Sequence, residues 1–178
     1  MTLDQPLALV RWMVDREMAI CSALNRISHP PKVRKFFVLI SRIGDGAAWY
    51  LILVLLPMVY GESGLTTSAS MIKVGVVNFA LYKIIKKCSA RHRPCAVSAE
   101  ITLGTAPLDQ YSFPSGHTMH AVAFSLVVIA HHPELAVLLI PFSSLIAASR
   151  VILGLHFPTD VIAGGLIGGY VASTLLAS

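Results

Sequence analysis

Three short phrases carry residue types that can do chemistry together: Lys86-(six residues)-Arg93-Pro94, Pro114-Ser115-Gly116-His117 and Ser149-Arg150-(five residues)-His156-(three residues)-Asp160. They supply three cations, two imidazoles and a carboxylate to partner one of them. That set can hold a phosphate and break its ester or anhydride bond without a metal. Arginine suits the holding because its planar fork grips two oxygens at once. Lys86, Arg93 and Arg150 would therefore share the phosphate oxygens, where charge shifts most in the transition state. His156 and Asp160 are four residues apart with Pro158 between them, a helix start that puts both side chains on one face. A carboxylate there can accept Nδ1–H of the imidazole and leave Nε2 free as a nucleophile. The plain alternative is a structural His–Asp pair capping the helix. Arg150 just upstream weighs against it, since an arginine near a bilayer boundary needs an anionic partner.

Pro114 suits a first helical position, which predicts that the amides of Ser115, Gly116 and His117 point outward, unpaired, at the positive end of a helix. Such an end is a ready anion site, and Gly116 would let a phosphate approach the backbone. An ordinary helix start with an incidental histidine is the competing account. Lys83, Lys87 and Arg91 read as snorkelling or headgroup-contacting cations. His92 and His120 lie near the site but are assigned no role in it, whereas His29, His131 and His132 read as turn or interface residues.

The elements that must position these groups are apolar. Of the 178 residues 55% are hydrophobic and 13% charged, against roughly 25% charged in average soluble chains, and the mean hydropathy is +0.71. This composition excludes an ordinary soluble domain and predicts an all-α, integral membrane helical bundle forming one domain over residues 1–178. The net charge of +5 suits anionic headgroups or phosphate substrates. A nucleic-acid partner is not expected, because the cations cluster beside apolar spans. No secretory signal peptide is expected, since Asp4, Asp15 and Glu17 interrupt the first twenty residues.

Residues 6–28 carry Arg11, Asp15, Arg16, Glu17 and Arg26, too many charges for a lipid-exposed span, and read as an interfacial amphipathic helix ended by His29-Pro30-Pro31. A segment from Phe36 to Tyr60 bends around Gly44-Asp45-Gly46, and Gly61-Glu62-Ser63-Gly64 reads as a turn. A span of about Thr66 to Lys87 leads to a polar loop at 88–113. Spans at His117–Ala130, Leu135–Leu153 and Phe157–Leu176 follow, so about five segments approach the length that crosses a bilayer. Gly164, Gly165, Gly168 and Gly169 form small-xxx-small patterns that fit close packing within the bundle better than a dimer face. Cys21, Cys88 and Cys95 do not make a disulfide framework; a Cys88–Cys95 bridge is open, with free thiols preferred. This topology brings all three phrases to one membrane surface.

Taken together, the phrases resemble the three motifs of the type 2 phosphatidic acid phosphatase family, the membrane lipid phosphatases whose superfamily includes vanadium haloperoxidases. Every motif position is filled, over about residues 80 to 165. The resemblance implies a helical bundle, no cofactor or metal, and phosphate hydrolysis through a phosphohistidine. Carried over, His156 is the nucleophile and Asp160 orients it. His117 protonates the leaving oxygen and then activates water. Lys86, Arg93, Ser115, Gly116 and Arg150 bind the phosphate. A polyprenyl diphosphate such as undecaprenyl diphosphate leads the substrate expectations, ahead of a glycerophospholipid or lipid A phosphate and of phosphotransfer to a lipid acceptor. A non-catalytic lipid-binding or transport protein is the reading from another class. Tyr111 and Phe113 are expected walls for the headgroup. A multi-pass bacterial-type inner membrane location is expected. Arg11, Arg16, Arg26, Lys32, Arg34 and Lys35 would mark the site's face as cytoplasmic, but anionic-substrate binding inflates that count, and the family's orientation, with the site on the periplasmic face, is expected.

Overall fold

The computed structural model describes residues 4–177, with side chains for Trp12 and from Val14 onward; the side chain of Arg11 lies outside the described residues. Eight α-helices run α1 (Asp4–Asn25), α2 (Pro31–Arg42), α3 (Ala48–Tyr60), α4 (Glu62–Ser89), α5 (Pro94–Val97), α6 (Gly116–His131), α7 (Ala136–Ile152) and α8 (Pro158–Leu176), and no strand occurs among the described residues. Four helical stretches are long and apolar enough to cross a membrane, at Pro31–Tyr60, Glu62–Val97, Pro133–Ile152 and Pro158–Leu176. A shorter fifth, α6, has 16 residues. Large apolar side chains such as Tyr50, Met58, Val137, Leu166 and Tyr170 project outward, a surface suited to lipid.

α6 is the axis of the bundle, with Met119, Ala121, Ala123, Val127 and Val128 all buried. It packs on α8, α4 and α7. Contact with α8 is close because Gly164 and Gly168 face it: a Cβ on Gly164 would stand 2.5 Å from the Ser115 carbonyl oxygen, and one on Gly168 would collide with that of Met119. The small-residue pattern thus serves packing inside the chain.

α2 and α3 form one span bent by a π-turn at Ile43–Ala47, where Gly46 adopts φ 146°. That angle is strained for a residue bearing a Cβ. The turn expected over residues 61–64 is smaller than predicted: Gly61 alone reverses the chain at φ 58°, and α4 begins at Glu62. The expected 88–113 loop also contains the short helix α5, and α4 ends at Ala90 in a left-handed conformation.

α1 is docked across the end of the bundle where the three phrases lie. Cys21 is buried with Ile101, Val151 and Phe157. Asn25 donates to the carbonyls of Thr102 and Ile152 at 2.9 Å each and accepts from the Thr102 amide at 2.8 Å. Trp12, Val14 and Ile20 remain exposed. All three cysteines are free.

Candidate active site

The cations come from different elements: Lys86 from the end of α4, Arg93 from the turn before α5, and Arg150 from the end of α7. Lys86, Arg93 and Arg150 are 5%, 4% and 3% exposed, which is affordable only with anions or hydrogen-bond acceptors at hand. Arg93 donates through Nη1 to the Leu155 carbonyl at 2.7 Å and reaches His156 Nε2 at 3.2 Å. An arginine has only donors, so Nε2 accepts and the ring proton sits on Nδ1. The attacking nitrogen expected from the sequence is therefore unprotonated and turned toward a cation. Burial first, then the charges of Arg150 and Arg93, push the His156 imidazole down to about 3, against the pull of Asp160. The ring is neutral at pH 7.

Asp160 faces His156 Nδ1, but less closely than the sequence spacing predicts. His156 Nδ1 lies 3.7 Å from Asp160 Oδ2, outside hydrogen-bond distance, and has no other partner among the described residues. The reason is that His156 precedes α8, in the turn that follows α7, so the four-residue spacing is not a helical one. Asp160 meanwhile caps α8 by accepting the Phe157 amide at 2.8 Å, and takes the Ser112 hydroxyl on the same oxygen. Its other oxygen pairs with Arg91 at 2.7 Å.

At the start of α6 the Ser115 amide is not free either: it donates to the Asp160 carbonyl at 3.0 Å. The Ser115 hydroxyl pairs with Thr118 at 3.0 Å. Among the described residues, the amides of Gly116 and His117 carry no hydrogen bond, leaving two outward donors where three were expected. Gly116 has a packing reason to be glycine, since a Cβ there would meet the Tyr82 ring at 2.7 Å. His117 Nε2 pairs with Asp45 of the π-turn. Arg150 donates to Ser41 and lies within electrostatic range of Lys86, Arg93, His117 and His156. The three phrases therefore meet at one end of the bundle.

Several partners escaped the sequence reading. Asp109 binds both Lys86 and Arg93 Nη2, the latter at 2.7 Å, and accepts the Tyr82 hydroxyl. Burial opposes its ionisation, but the bonds from Lys86 and Tyr82 and the charges of Lys86 and Arg93 win and hold its carboxyl at about 2. Arg91, expected to snorkel, instead ties α1 to α8: it pairs with Glu17 at 2.6 Å and with Asp160, and lies 4.0 Å over the Phe157 ring. His120 bonds the Gly116 carbonyl within α6, and His92 is exposed. Tyr111 and Phe113 are half-buried in the loop before α6.

An undecaprenyl-diphosphatase of Sulfolobus acidocaldarius is 30% identical over 76% of this chain, and the alignment takes in 65% of that protein, just under two thirds. A lipid A 1-phosphatase of Rhizobium etli is 27% identical over 79% of this chain and 69% of its own length. The crystal structure of Aquifex aeolicus LpxE superposes with a TM-score of 0.73 at 25% identity, covering 90% of this chain and 94% of that one. The family model described as PAP2 superfamily matches residues 64–178, the stretch that holds all three phrases, and the chain belongs to that superfamily.

Proposed function

We propose that this chain is a metal-independent lipid phosphatase that works through a phosphohistidine and acts on a polyprenyl diphosphate such as undecaprenyl diphosphate. The observation that carries the proposal is the convergence of Lys86, Arg93, Arg150 and two imidazoles at one end of a lipid-exposed bundle. A headgroup phosphate reaches that end while its chain stays in the bilayer.

In the first step His156 Nε2 forms a bond to phosphorus as the bond to the leaving oxygen breaks, its electron pair going to that oxygen. His117 gives the leaving oxygen a proton. Lys86, Arg93, Arg150 and the amides of Gly116 and His117 hold the other phosphoryl oxygens. Asp160 faces the charge that develops on the His156 ring. In the second step His117 takes a proton from water as the water oxygen bonds phosphorus, and the P–N pair returns to His156. Substrate, membrane face and the bacterial inner membrane location belong to this proposal, with the site on the periplasmic side. The similarity to a lipid A 1-phosphatase supports a second reading, a lipid A phosphate monoester as substrate.

The test is phosphate release by the detergent-solubilised protein in excess EDTA. Undecaprenyl diphosphate, lipid A, phosphatidic acid and phosphatidylglycerophosphate would be compared. Fastest release from undecaprenyl diphosphate supports the proposal. Preference for lipid A selects the second reading, and loss of all release in EDTA overturns the metal-independent mechanism.

A further inference from the structure

We propose that Asp45 is the positioning carboxylate of His117, and that it assigns the proton-carrying role to the Nδ1 nitrogen of that ring. This rests on the reading of His117 as the proton donor and acceptor. Asp45 lies outside the family match, which begins at residue 64, and on a different helix pair from the three phrases.

The π-turn delivers it. Gly46 at φ 146° breaks the α2–α3 span, and Gly44 lies so near α7 that a Cβ would stand 3.0 Å from the Ile146 side chain. The bend is thereby pressed onto the element that ends in Arg150. Two groups of this segment reach the site from it: the Ser41 hydroxyl accepts from Arg150, and the Asp45 carboxylate pairs with His117. Asp45 has no capping duty, because the start of α3 carries no side-chain cap bond. Its only hydrogen-bonding side-chain partner among the described residues is His117, and its charge also faces Arg150. A carboxylate inside an apolar span is costly, and this one is spent on an imidazole.

The pairing fixes the tautomer. A carboxylate accepts and does not donate, so Nε2 carries the hydrogen toward Asp45. Nδ1 is then the nitrogen without a hydrogen-bond partner among the described residues, and it exchanges the proton. In the first step the imidazolium gives its Nδ1 proton to the leaving oxygen as the P–O bond breaks. The ring is left neutral, with Nε2–H still on Asp45. In the second step Nδ1 takes a proton from the attacking water as the P–N bond breaks, and the imidazolium faces its counter-ion again. The carboxylate holds the ring in one orientation and offsets its charge in the protonated form.

The experiment compares Asp45→Asn, His117→Ala and the double variant in detergent, measuring kcat/KM for dodecyl phosphate and for 4-nitrophenyl phosphate. This parameter covers the steps up to departure of the leaving group. Dodecanol leaves poorly without a proton, whereas nitrophenolate leaves readily. Asp45→Asn is expected to lower kcat/KM for dodecyl phosphate about 100-fold, the lower range for general acid catalysis, and to spare 4-nitrophenyl phosphate by comparison. It should add no further loss in the His117→Ala background. Equal losses on both substrates, an added loss in the His117→Ala background, or an undiminished Asp45→Asn enzyme would overturn the assignment of Asp45. A His117→Ala enzyme with full activity on dodecyl phosphate would instead overturn the role of His117 itself.

Discussion

Replacing Arg91 with glutamine tests whether the carboxylate behind His156 is held from outside the matched motifs. The guanidinium bonds Asp160 at 2.7 Å, Thr159 at 2.8 Å and Glu17 at 2.6 Å, and stacks on Phe157. Asp160 is fully buried while Arg91 is 29% exposed, so the Asp160 bond is the larger share. A hydrogen bond between charged groups in such a place contributes about 2 kcal/mol. The Glu17 pair, nearer solvent, adds on the order of 0.5 kcal/mol, and the ring contact about 0.5 kcal/mol. The loss of about 3 kcal/mol corresponds to a fall in Tm of roughly 6–12 °C for a chain of this length. Asp160 keeps Ser112 and the Phe157 amide, so the bundle still folds. kcat should fall about tenfold, within the roughly 100-fold that a 1 Å misplacement of reacting groups costs, with KM nearly unchanged because Arg91 is engaged by carboxylates. The assay pairs tryptophan fluorescence melting with phosphate release on the same detergent preparation. Lys87→Gln is the control, an exposed neighbour of like charge. If Arg91→Gln melts and turns over like Lys87→Gln, the Glu17–Arg91–Asp160 link does not exist.

Two further outcomes follow from the same groups. Asp109→Asn removes the carboxylate that now neutralises Lys86 and Arg93, so inorganic phosphate should inhibit about tenfold more strongly, a gain of ~1.4 kcal/mol. An unchanged Ki would mean that phosphate meets those cations away from Asp109. The pH dependence of stability has a definite sign at His156. Its folded value of about 3 lies below the ordinary 6.5, so the neutral ring stabilises the fold above pH 6.5 and that contribution is lost as pH falls toward 3. By pH 5 the loss reaches about 2 kcal/mol. The difference in Tm between pH 8 and pH 5 should therefore shrink in His156→Asn, and an equal difference in both proteins would contradict it.

The site was legible where its residues sit in short phrases at span ends, because parity alone carries Lys86, Arg93, His117, Arg150 and His156 to one surface. Gly164 and Gly168 were legible as packing residues, since only small side chains let two helices touch. What escaped was the partnering across long separations. Asp109 meets Lys86 and Arg93 through a loop without periodicity, and Glu17 meets Arg91 from 74 residues away. Arg91 was indistinguishable by position from Lys83 and Lys87, although its planar fork was a hint that it could bridge two carboxylates. Asp45 had a signal: an acid between two glycines inside an apolar span needs a partner, yet nothing in its neighbourhood names His117. The pairing of His156 Nδ1 with Asp160 was legible, but its 3.7 Å separation was not, because a four-residue spacing sets a helical distance only inside a helix and His156 lies before one.

The central claim is that phosphate passes through His156. The direct measurement is to quench the enzyme during turnover of substrate carrying labelled phosphate, in excess EDTA, and to map the protein-bound label. His117→Ala should accumulate it from labelled 4-nitrophenyl phosphate, whose leaving group departs without a proton, because its second step lacks a base. An acid-labile, alkali-stable label on His156, absent from His156→Ala, is the expected result. Label on another residue, or full phosphate release by His156→Ala, would contradict the account.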